Sequence, residues 1–155
     1  MKRFPSRAAA PHRTAGITLI ELIIVLTILG IVAMVSYASY THYVFKVNRS
    51  VAKSVLLDTA TRQERFYAGN RRYANDMTEL GYSTSTPCFG KDGSPLASCS
   101  DAIYSVRTES SCDGGPLPCF KVSAAPAGVQ VSDTTCGTFR IFSTNVRTAG
   151  AGGCW

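Results

Sequence analysis

Histidine is nearly missing from these 155 residues: His12 and His42 are the only two. No Cys-x-x-Cys pair occurs, and neither a glycine-rich phosphate loop nor a nucleophile elbow is present. Asp101, Asp113 and Asp133 are scattered, so no carboxylates are paired for acid–base work and no calcium loop can be read. The chain therefore reads as a non-enzyme with no cofactor and no zinc site. Proline and glycine are missing from Ile31 to Ala68, so nothing there interrupts a helix. Acidic residues are missing ahead of Ile17, and from Ile17 to Val35 Glu21 is the only charge. As a helix that run would measure about 28 Å at roughly 1.5 Å per residue, close to the roughly 30 Å hydrocarbon core of a bilayer.

What is present fits a chain that crosses a membrane once. The net charge is +6, and Lys2, Arg3, Arg7 and Arg13 precede the apolar run. Subtracting these four from +6 leaves +2 for residues 17–155. A basic flank holds the N-terminus in the cytoplasm and places the rest outside. Cys88, Cys99, Cys112, Cys119, Cys136 and Cys154 all follow the apolar run, where an oxidising compartment would pair them. Six cysteines allow 15 pairings. Cys88–Cys99 and Cys112–Cys119 are expected from their closeness in sequence.

Val44, Val47, Val51 and Val55 recur at helical spacing, and Ala52, Leu56, Thr59, Gln63 and Phe66 continue a neighbouring stripe. Lys46, Arg49, Lys53, Asp58, Arg62 and Arg65 supply a polar face. One helix is predicted from Ile17 to Ala68, stopped by Gly69-Asn70. Turn signals then fill 69–100. Alternation at Ala102-Tyr104-Val106, at Phe120, Val122 and Ala124, and at Phe139 and Ile141 predicts three or four short strands. The fold class is α+β: a long N-terminal helix on a small antiparallel sheet. With so small a core, disulfides would contribute much of the stability.

The stretch Gly16-Ile17-Thr18-Leu19-Ile20-Glu21-Leu22 resembles the processing motif of type IV prepilins. The resemblance implies a leader over 1–16, removed by a prepilin peptidase after Gly16, and an N-methylated Ile17. A small-x-small site at Ser36-Tyr37-Ala38 is the competing, ordinary signal-peptide reading. Ile17 stands where the family usually has Phe, and Ala38 where many pilins have Pro, which removes a kink. A charge at membrane depth costs about 2.5–3.5 kcal/mol. The resemblance gives Glu21 its partner, the new Ile17 amine of a neighbouring subunit during assembly. It also implies a Cys136–Cys154 loop at the C-terminus.

Arg62-Gln63-Glu64-Arg65-Phe66-Tyr67, with Asn70 and Tyr73-Ala74, is similar to the helix end of PilE-like minor pilins. So is the ending Cys136-Gly137-Thr138 through Cys154-Trp155. This implies helix 17–68 (17–35 in the membrane or filament core) and a periplasmic head at 69–155, with its αβ-loop at 69–100 and its sheet and cystine loop at 101–155. The implied partners are other major and minor pilins, the peptidase and the inner-membrane assembly platform. The expected location is the inner membrane, then the extracellular pilus. The resemblance implies a structural subunit of a type IV pilus, a minor pilin taking part in pilus assembly, in a filament that serves adhesion, twitching motility or DNA uptake; a type II secretion pseudopilin is an alternative. So is a pilus-displayed DNA receptor, for which Arg62, Arg65, Arg71 and Arg72 beside Phe66, Tyr67 and Tyr73 offer phosphate contacts and stacking faces. The more ordinary reading of the same residues is a solvated basic face, or arginines covering an interface.

Overall fold

A computed structural model of the chain describes residues 16–111 and 118–155, and of residues 35–39 the backbone alone. The leader ahead of Gly16 lies outside the described residues, and so does Cys112. The chain divides between Tyr40 and Thr41 into two units. Both are threaded by helix α1 (Leu19–Asn70).

In the first unit α1 begins two residues later than Ile17. Thr18 stands just ahead of it, and its hydroxyl accepts the Glu21 N–H at 3.3 Å, as a helix-capping side chain does. The side chains from Leu19 to Met34 are exposed on every side, from 46% at Ile23 to 81% at Met34. A helix that is apolar all round and covered by nothing is built to be enclosed by lipid or by other helices. Among the described residues no helix is long and apolar enough to cross a membrane.

At its other end α1 runs through Gly69 rather than stopping before it. The Asn70 amide donates to the Phe66 carbonyl at 2.9 Å, and the Arg71 N–H reaches the Tyr67 carbonyl at 2.8 Å. The left-handed turn that ends the helix falls on Arg71, at φ 55°.

The second unit packs residues 41–70 of α1 on a six-stranded antiparallel sheet in the order β2-β1-β3-β4-β5-β6. The strands are β1 (Cys88–Phe89), β2 (Pro95–Leu96), β3 (Tyr104–Glu109), β4 (Lys121–Pro126), β5 (Phe139–Phe142) and β6 (Arg147–Thr148). Three of them are the alternating runs of the sequence. The other three have two residues each, too few to show a period, and β1 and β2 fall inside the stretch read as loop. Tyr104, Val106, Val122, Ala124, Phe139 and Ile141 point inward onto Ala52, Val55 and Leu56 of the helix. Complete burial of apolar side chains such as these contributes about 1.5–3 kcal/mol each.

The helix face differs from the expected stripe at one point. Val47 is 43% exposed, while its neighbour Asn48 is buried. The reason is a partner: the Asn48 amide donates to Gln130 Oε1 at 2.9 Å. Gln130 sits in a 3-10 helix, Gly128–Ser132, that continues from β4. Gly128 permits this approach. It has φ +50°, and a Cβ there would lie 2.6 Å from the Ala102 carbonyl oxygen.

Disulfides close the loops around the sheet. Cys88 bonds Cys99 across the β1–β2 hairpin, with Cα atoms 5.3 Å apart. Cys136 bonds Cys154 around β5 and β6, with Cα atoms 5.7 Å apart. Cys119 is also disulfide-bonded; the expected Cys112–Cys119 link lies outside the described residues.

Candidate nucleic-acid interface

Phosphate contacts need cations that are not already spent on carboxylates. By that measure the arginines at the helix end are poorly placed. Arg62 binds Asp58 at 2.8 Å, and that bond raises the Arg62 pKa above its ordinary value. Its guanidinium also lies 5.0 Å from the Tyr82 ring centre. Arg72 binds Glu79 at 2.9 Å and lies 5.1 Å from the Phe66 ring centre. The Tyr73 hydroxyl donates to Glu64 at 3.3 Å. Burial, with the nearby Glu64 charge, pushes the Tyr73 pKa up. Tyr73 stacks on Tyr67 at 4.6 Å. Among the described residues Arg65 and Arg71 have no ion pair. Two of the four cations, Arg62 and Arg72, are thus already held by carboxylates.

The outer face of the sheet is different. Inward and outward residues alternate along each strand, so the buried set fixes the outward set. Outward on β3 are Ser105, Arg107 and Glu109; on β4, Lys121, Ser123 and Ala125; on β5, Arg140 and Phe142; on β6, Thr148. The register aligns Arg107 with Ser123, Ser123 with Arg140, and Arg140 with Thr148. The next row aligns Glu109 with Lys121 and Lys121 with Phe142. A groove of about 590 Å³ lies along these rows.

Its floor is small and polar, Ser105, Ser123 and Thr148, and Phe142 sits at one side. Arg107 and Arg140 flank Ser123 from strands two spacings apart, about 10 Å. Glu109 is the only acid in these rows. It meets Arg107 at 3.2 Å and Lys121 at 3.0 Å. Arg140 is exposed and has no ion pair among the described residues. Among the described residues, three cations against one carboxylate leave this face at +2, with an aromatic edge beside it. That is the combination that holds a nucleic-acid backbone and one of its bases.

The family model described as type IV minor pilin ComP, DNA uptake sequence receptor, matches residues 38–140. The chain belongs to this minor pilin family. The prokaryotic N-terminal methylation motif matches residues 11–37, the stretch that holds Gly16, Ile17 and Glu21. A solved type IV pilin from Shewanella oneidensis aligns at 23% identity and a TM-score of 0.48, over 72% of this chain and 97% of that one. No curated protein matches this chain.

In this minor pilin Gly16, Ile17 and Glu21 lie together at the exposed start of the first unit. The four arginines drawn from the sequence do gather at one end of α1, but among acids. Arg107, Lys121 and Arg140 were missed there because they are scattered in sequence and come together only through strand register. The signal was nonetheless present. Arg107 lies between Val106 and Thr108, Lys121 precedes Val122, and Arg140 lies between Phe139 and Ile141. Each is the outward residue of an alternating run.

Proposed function

We propose that this type IV minor pilin serves as a DNA receptor in a pilus, and that duplex DNA lies along the sheet groove between Arg107 and Arg140. The net positive sheet face supports this reading, together with the description of its family. Three cations in contact with phosphates give a salt slope of roughly −2 to −3, at about −0.9 per phosphate. Arg140→Glu in the full chain, held in mild detergent, is expected to weaken binding of a short mixed-sequence DNA duplex about tenfold and to flatten that slope by about one to two. Arg71→Glu is expected to change affinity less than about twofold. The opposite ranking would move the site to the helix end. Binding that ignores salt would rule out both.

Maturation follows the prepilin route in this reading. The chain is cut after Gly16, methylated at Ile17, held in the inner membrane by residues 17–35 with its head in the periplasm, and then drawn into the filament with major and minor pilins. Glu21 then meets the Ile17 amine of a neighbour, which neutralises both charges at membrane depth. Mass spectrometry of the mature chain should give an N-methylated Ile17, lost in cells without the prepilin peptidase. Glu21→Ala subunits should still be processed but be missing from sheared pili. A start after Ala38, or normal Glu21→Ala incorporation, would overturn the respective step.

A further inference from the structure

We propose that Glu109 is a built-in competitor for phosphate in the sheet groove, and that DNA must displace its carboxylate to bind. The proposal rests on the groove reading above. The two carboxylate oxygens are divided between two cations: Oε1 meets Arg107 Nη2 at 3.2 Å and Oε2 meets Lys121 Nζ at 3.0 Å. A backbone phosphate would present two oxygens to the same nitrogens in the same way.

The placement follows from the sheet. Glu109 is two residues from Arg107 on β3, so both point outward. It is directly opposite Lys121 on β4, where side chains of opposite charge come within reach. The acids at the helix end differ, because Asp58 and Glu79 each hold one arginine there. Here one acid ties down two of the three cations that the groove offers. Arg140, across Ser123, is left to make the first phosphate contact.

Stability explains the Arg107 half of the arrangement poorly: with side chains 63% and 34% exposed, the Arg107–Glu109 pair contributes about 0–1 kcal/mol. The Lys121 side chain is 12% exposed, so its pair with Glu109 is the more sheltered of the two. What the carboxylate does is lower the groove's affinity for any polyanion. Weak, indiscriminate binding is suppressed. A ligand that makes further contacts along the groove can still exchange its phosphate for Glu109.

The test compares three variants of the full chain in mild detergent, titrated with a short mixed-sequence DNA duplex at several salt concentrations. Glu109→Gln keeps the shape and removes the charge. Asp101→Asn removes an exposed charge elsewhere on the head. Arg140→Glu tests the groove itself. Removing the carboxylate charge beside Arg107 and Lys121 should tighten binding about tenfold. The salt slope should stay near that of the unchanged chain, because the same three cations meet phosphates once the carboxylate is displaced.

Asp101→Asn should tighten binding less than about twofold, and thermal unfolding of Glu109→Gln should stay near that of the unchanged chain. If Arg140→Glu weakens binding while Glu109→Gln matches the unchanged chain or only equals Asp101→Asn, the competitor role is overturned and the groove stands. If Arg140→Glu leaves binding unchanged, the groove reading falls and the competitor role falls with it.

Discussion

Gln63→Leu is expected to lower the stability of the head by on the order of 3–5 kcal/mol. Gln63 is fully buried in the face that α1 turns to the sheet. Its amide donates to the Ala74 carbonyl at 3.0 Å and to Thr108 Oγ1 at 2.7 Å. Its oxygen accepts the Ala74 N–H at 2.9 Å. One side chain thus joins the helix, the loop after it and β3. Leucine fills a similar volume but bonds none of these groups. Ala74 and Thr108 are themselves buried, so water cannot readily replace the amide. The Thr108 hydroxyl keeps its bond to the Lys121 carbonyl at 3.4 Å, and the two orphaned Ala74 groups cost about 1–3 kcal/mol each.

Trp155 is the only tryptophan. It sits in the head with its indole N–H on the Thr148 carbonyl at 2.8 Å, so its fluorescence can follow unfolding of this unit in urea. The expected signature is a fall in midpoint with an unchanged slope. A loss under about 1 kcal/mol would mean that the loop rearranges to satisfy itself, and that Gln63 is not the joint between the three elements.

Gln63 also shows how the sequence can be read correctly for an incomplete reason. Its position at helical spacing with Ala52, Leu56 and Thr59 marks the buried face, and all four are at 2% exposure or less. Hydrophobicity alone would have placed Gln63 and Thr59 outside. Asn48 is the opposite case. Val47 is the more apolar residue, so periodicity favours it, but Asn48 is buried because Gln130 meets it from 82 residues away. A bond of that range has no local signature.

The same division holds for the groove. Alternation along each of β3, β4 and β5 is visible locally and tells which residues face out. That Arg107, Ser123 and Arg140 form one row depends on register, which is set by the packing of the whole sheet. The helix-end arginines are legible as a cluster because they are close in sequence, while the acids that hold two of them, Asp58 and Glu79, lie up to seven residues from their partners. Proximity in sequence shows the cations readily and the bookkeeping of charge poorly.

The second large effect is expected at Arg49. Its guanidinium clasps Asp133 with two bonds, Nε to Oδ2 at 2.7 Å and Nη2 to Oδ1 at 2.6 Å. Gln130 donates to the same carboxylate at 2.9 Å. The Asp133 side chain is only 3% exposed. This clamp fixes α1 to the 3-10 helix that continues from β4, and β4 carries Lys121 and Ser123 of the groove. Arg49→Met keeps most of the aliphatic stem and removes the charge. A buried carboxylate left without its partner costs about 3–5 kcal/mol at neutral pH.

The pH dependence separates this from lost packing. In the unchanged chain the bond to Arg49 outweighs burial and holds the Asp133 carboxyl below its ordinary value. Its contribution is therefore present above the ordinary carboxylate pKa, about 4, and is lost as pH falls through the lower folded value. In Arg49→Met burial remains, with the bonds from the Cys136 backbone and from Gln130. The carboxyl pKa should then rise, and protonation should relieve the penalty as pH falls. Tyr104, beside this group and pushed up to about 12 by burial, stays neutral throughout and adds no slope. Urea unfolding of the two chains should differ most near pH 7, narrow as pH falls through the variant's raised carboxyl value, and converge only below about pH 4. A difference that stays constant with pH would mean that Arg49 acts through its methylenes, and that Asp133 is not held by charge.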